Sequence, residues 1–121
     1  MPGAKDLKVW QEAVALGADV IRVVRQTSRR ETKAFTDQLL TTASAPAVSI
    51  AEAHALASVA DQRACYLRAK HALADIETRL TIARHAELLS PTALAQLTTR
   101  IAAVSQLLGG YLAFIERQIG T

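Results

Sequence analysis

Apolar residues three and four positions apart recur through four long stretches of this chain. That period is the period of a helix with one buried stripe, and four such stripes are satisfied when the helices lie side by side and face one another. In the first stretch, expected to be helical from Lys5 to Gln26, the seam reads Leu7, Trp10, Val14, Gly17, Ile21 and Val24, widened by Val9, Val20 and Val23. Trp10 on this seam is read as core. The second stretch begins near Arg29 and runs Phe35, Leu39, Thr42, Pro46, Ile50, Ala53 and Ala57. The third, from about Gln62 to Glu87, carries Tyr66, Ala69, Leu73, Ile76, Leu80 and Ala83. The fourth, from about Pro91 to Gln118, carries Leu94, Leu97, Ile101, Val104, Leu108, Tyr111 and Ile115.

Start signals separate the stretches. Ser28 with Glu31 matches a capping box, Asp61 offers an N-cap for the third helix, and Ser90 before Pro91 combines an N-cap hydroxyl with the residue best tolerated at the first helical position. Short connections make neighbours run antiparallel, so the expected fold is all-α, an up-down-up-down antiparallel four-helix bundle forming one domain over residues 1–121. Pro46 lies inside the second helix, where a missing amide and a clash with the carbonyl four residues earlier predict a bend or break near Ala45. Small residues at Ala43, Ala45, Ala47 and Ser49 would let other helices come close to that bend. Gly109 and Gly110 interrupt the fourth helix and are read as a close helix contact. Leu107, Leu112 and Phe114 lie off the fourth seam, and apolar residues on a second side predict a partner surface, hence a homo-oligomer.

Composition narrows the function. Half of the residues are hydrophobic but only 4% are aromatic, which suits closely packed helices better than a sheet. Neither an apolar run of membrane-spanning length nor a signal-type N-terminus is found, so a cytoplasmic protein without membrane association is expected. The single cysteine, Cys65, excludes an intrachain disulfide and a cysteine-pair metal site, and is read as a small buried residue. Net charge is +3, compatible with nucleic acid without demanding it.

The strongest charge feature is Arg22, Arg25, Arg29, Arg30 and Lys33, where the first helix gives way to the second. Arg22, Arg25 and Arg29 have the spacing of one helical face and could present a basic strip to phosphates, although arginines at a helix C-terminus also answer the macrodipole. The histidines His54, His71 and His85 lack the glutamate three residues earlier that di-iron bundles use. His71 and Asp75, one turn apart, suit a hydrogen-bonded surface pair better than a metal site. Cys65 with His71 or His85 is the one conceivable nucleophile and base, and helical spacing does not bring them together. No catalytic residue, cofactor or metal is therefore assigned. Glu52 and Glu77 are candidates for structural contacts with Arg68 or Arg79.

Leu7-x-Val9-Trp10-Gln11-x-Ala13, Gln38-Leu39, Ile50-Ala51-Glu52, Tyr66-Leu67-x-Ala69 and Leu73-x-Asp75-Ile76-Glu77-Thr78, in that order, resemble the 23S ribosomal RNA intervening-sequence proteins. These are relatives of the accessory variability determinant proteins of diversity-generating retroelements. The resemblance spans about Leu7 to Leu89. It implies a left-handed antiparallel bundle, a ring-like homopentamer, and a basic surface for RNA or DNA, with no enzymatic activity. Leu40 and Thr41 stand where the family has two arginines, Ser49 where it has asparagine and Ala53 where it has glycine, and Pro46 falls one place early. The function expected is a non-enzymatic oligomeric bundle, associated with nucleic acid or accessory to a nucleic-acid enzyme. The second reading is a structural bundle that binds a protein partner.

Overall fold

Two serines set the starts of the longest helices. Ser58 Oγ accepts from the Asp61 amide at 3.4 Å and Ser90 Oγ from the Ala93 amide at 3.1 Å, each satisfying a donor that has no partner within its own helix. In this computed structural model, which describes residues 3–4, 7–27 and 29–120, the elements are α1 (Lys8–Thr27), a 3-10 turn (Arg30–Thr32), α2 (Lys33–Thr42), α3 (Ala45–Ala55), α4 (Val59–His85) and α5 (Pro91–Ile119). The described residues are helical or connecting, without a strand, and none of their helices is long and apolar enough to cross a membrane.

Two helix starts differ from expectation. Asp61 is not the N-cap of α4; it sits inside the first turn, where its carboxylate faces the positive end of the helix, and Ser58 takes the capping role. The second stretch does not begin as α-helix at Arg29, whose backbone is extended (φ −131°, ψ 163°); a 3-10 turn follows and α2 starts at Lys33. Ser28, and with it the proposed capping box, lies outside the described residues, as does the Lys5 start expected for the first helix. Between α2 and α3 the chain turns at Ala43 and Ser44, and Pro46 occupies the first turn of α3, where a missing amide is not needed. After α4, Leu88 donates back to the Ala83 carbonyl at 2.9 Å, and Glu87 adopts the left-handed conformation (φ 64°) that closes many helices.

α4 packs against α3 and α5, and α1 against α5 and α3. Side-chain pairs mark the contacts: Arg63 near the start of α4 reaches Glu116 near the end of α5, Arg68 reaches Glu52, and Arg79 reaches Gln38. The expected seam of α4 is buried at every position, from Tyr66 to Ala83. On α5, Leu97, Ile101, Val104, Leu108 and Ile115 are buried, with Leu94 and Tyr111 half-buried against them.

The core differs from the expected one in two helices. α1 buries Val9, Ala13, Leu16, Val20 and Val24, whereas Val14 and Ile21, placed on the seam by their spacing, are about 40% exposed. On α5, Leu112 belongs to the core, 8% exposed, so it is not a residue of a second side; Leu107 is half-buried against the same core and Phe114 is 51% exposed. The glycines also exchange roles. A Cβ on Gly17 would stand 3.0 Å from the Ala43 carbonyl oxygen, which makes Gly17 the point of close approach between α1 and the α2–α3 turn. Gly109 and Gly110 are exposed with no neighbouring atom within 4 Å of an added Cβ, so they mark no contact within the chain.

Tyr66 and Tyr111 stack across α4 and α5 with ring centroids 5.8 Å apart. Burial, then the neighbouring Tyr111 and Cys65, pushes the Tyr66 phenol above the ordinary tyrosine value of 10.0. The protonated phenol is thus favoured by folding, and its contribution is complete below about pH 10 and lost as pH rises through the folded-state value. The urea midpoint is expected to fall as pH rises beyond about 10, and Tyr66→Phe to flatten that alkaline limb. A Tyr66→Phe variant with the same alkaline slope as the native chain would reject the assignment.

Candidate nucleic-acid interface

The basic strip divides in two once its partners are seen. Arg22 is engaged by Asp19, three residues before it, and Lys33 by Asp37, four residues after it, at 2.6 Å. Arg25, Arg29 and Arg30 are exposed and have no ion pair among the described residues. They do not share one helical face. α1 ends at Thr27, whose hydroxyl turns back to the Val23 and Val24 carbonyls, and extended Arg29 carries the chain off the helix axis. Arg25 therefore closes the last turn of α1, where its charge faces the negative helix end, while Arg29 and Arg30 project from the connection.

Beside this strip lies a half-open groove of about 550 Å³ between α1 and α5, lined by Glu12, Asp19, Arg22 and Gln26 on one side and by Gln96 and Arg100 on the other. Glu12 and Asp19 are seven residues apart and so stand on one flank of α1. Arg100 bridges them, Nη1 donating to Glu12 Oε2 at 2.9 Å and Nε to Asp19 Oδ2 at 3.1 Å. These bonds, first to Glu12 and then to Asp19, raise the Arg100 pKa against the opposing effect of burial, so the guanidinium stays charged. Asp19 thereby holds two arginines, one from its own helix and one from α5. Sequence reasoning found Arg22 and missed Arg100, because its partners lie more than 80 positions away.

The other candidate groups are placed as follows. Glu52 pairs with Arg68 at 3.2 Å, as considered from sequence, but both side chains are more than half exposed and such a pair contributes little. Glu77 makes no such pair; Arg79 instead takes Asp75, with Nε 3.1 and 3.2 Å from its two oxygens, and Gln38. The expected His71–Asp75 pair does not form, since Asp75 is committed to Arg79. Cys65 is buried with its sulfur 2.8 Å from the Arg68 guanidinium. Among the described residues, no three of histidine, cysteine, aspartate and glutamate gather closely enough to hold a metal ion.

What the arrangement offers chemically is recognition: three unpaired cations at one end of α1, opening onto a polar groove with matched charges. The family model described as 23S rRNA-intervening sequence protein matches residues 5–110. A search of curated proteins finds no match.

Proposed function

The chain belongs to the 23S rRNA-intervening sequence protein family, and from that premise we propose that it is a non-enzymatic helical scaffold that binds RNA through Arg25, Arg29 and Arg30. The observation that carries the reading is that these three guanidinium groups are exposed and unpaired at one place, while Arg22 and Lys33 are already neutralised. Free cations release counterions when they meet phosphate; paired ones must first give up a partner. The same reading takes the fold as an up-down-up-down antiparallel bundle bent at the α2–α3 turn, supported by the Arg63–Glu116, Arg68–Glu52 and Arg79–Gln38 pairs. It takes the working unit to be a cytoplasmic homo-oligomer, a pentamer by the resemblance, in which several weak patches act together.

Fluorescence anisotropy with a labelled single-stranded RNA at several salt concentrations tests the proposal. Replacing Arg25, Arg29 and Arg30 together by alanine is expected to weaken binding by at least tenfold and to lower the salt slope by about 2, at roughly 0.7 for each single-strand phosphate left without its arginine. Replacing Lys33 is expected to change little. Native affinity in the triple variant would reject the proposal. It would favour the second reading, a protein-binding bundle, for which the exposed Val14, Ile21 and Phe114 speak.

A further inference from the structure

We infer that the groove between α1 and α5 receives an unpaired base of the single strand whose phosphates lie on Arg25, Arg29 and Arg30, an inference that rests on the RNA-binding reading above. The groove and the strip are continuous. Arg22 and Gln26 line the groove from the last two turns of α1, and Arg25 stands three residues after Arg22, beside it on the helix surface. A strand held at Arg25 and Arg29 thus passes the open mouth of the groove.

Electrostatics decides which part of the strand enters. Glu12 and Asp19 face Arg100 and Arg22 within the groove, two carboxylates against two guanidiniums, so its interior has no excess positive charge to draw a phosphate. The unmatched charge is outside, on the strip. Phosphate is therefore held at the rim, and the neutral part of the nucleotide is the part that suits the interior.

The groups inside match a base. The carboxamides of Gln26 and Gln96 both line the groove, and neither has a hydrogen-bond partner among the described residues. A carboxamide offers a donor beside an acceptor, the arrangement that complements the edge of a base. Arg100 is fixed by two carboxylates, and a guanidinium plane is one of the surfaces on which unpaired bases stack where aromatic rings are lacking. Val23, Leu97 and Ala103 complete the wall with apolar surface. At about 550 Å³ the groove is within the size range of small-molecule sites. A duplex cannot use it, because its bases are stacked and paired within the helix and none is splayed out to enter a groove.

The test compares one labelled single-stranded RNA with its own duplex, using the full-length chain, and adds the variant Gln26→Ala/Gln96→Ala. Both glutamines are exposed, so the variant should fold, which circular dichroism checks. The single strand is expected to bind more tightly than the duplex. Removing both carboxamides should weaken single-strand binding about tenfold, leaving duplex binding and the salt slope unchanged. If the variant binds the single strand as the native chain does, or if duplex and single strand bind equally, the groove does not read a base while the basic strip still stands. If no RNA binds at low salt, the strip fails and the groove inference falls with it.

Discussion

Leu112→Asp is expected to destabilise the chain severely. Leu112 is 8% exposed and shares a small cavity of about 100 Å³ with Leu73 and Leu108, beneath the rim formed by Lys70 and Ser105. Removing the leucine forfeits about 2 kcal/mol of apolar burial. Placing a carboxylate there adds a desolvation cost that Lys70, exposed at the rim, offsets in part. The sum is about 3–5 kcal/mol, a large share of the roughly 5–15 kcal/mol that holds a domain of this size. Thermal and urea unfolding followed by circular dichroism read it directly; native-like midpoints would show that Leu112 is not part of the core. Phe114→Asp should leave both midpoints almost unmoved, since Phe114 is half exposed and surface changes cost within about 0.5 kcal/mol. Phe114, rather than Leu112, is the residue at which to probe assembly. If light scattering gives the same subunit number for Phe114→Asp as for the native chain, the interface lies elsewhere.

The difference between these neighbours explains how much the sequence disclosed. On α4 the three-and-four spacing of Tyr66, Ala69, Leu73, Ile76, Leu80 and Ala83 picks out the core, and all six are buried, although Ile82 off that seam is exposed. On α1 two registers compete, because valine and isoleucine occupy both: Val9, Ala13, Leu16, Val20 and Val24 form one stripe, with Gly17 buried beside it, and Leu7, Trp10, Val14 and Ile21 the other. Periodicity cannot choose between stripes of similar hydrophobicity. The choice is made by Gly17, which permits close approach on one flank, and by Glu12 and Asp19, which meet Arg100 on the other. Both are contacts between helices distant in sequence. The same distinction holds at the site. Asp19 and Asp37 stand three and four positions from Arg22 and Lys33, so the pairing that divides the basic strip was within reach of helical spacing. The groove was not, since no local rule states that α5 lies against α1 with Gln96 near Gln26.

Gly17→Val is expected to lower stability by about 2 kcal/mol, whereas Gly109→Ala and Gly110→Ala should each raise it by about 1. The added Cβ at Gly17 would meet the Ala43 carbonyl oxygen at 3.0 Å, and that atom is backbone held in the turn between α2 and α3. A flexible side chain could rotate aside; a carbonyl can yield only if the turn or α1 moves. Valine then brings two further methyl groups into the same space, and its small gain in helix propensity over glycine, about 0.4 kcal/mol, does not compensate. At Gly109 and Gly110 an added methyl meets nothing within 4 Å, so the gain in helix propensity is unopposed. Urea midpoints at a protein concentration low enough to hold single chains separate the two classes. A neutral Gly17→Val would mean that α1 and the turn are not in contact. A destabilising Gly109→Ala that appears only at high concentration would place a second chain against that face, because the chain itself leaves the space open.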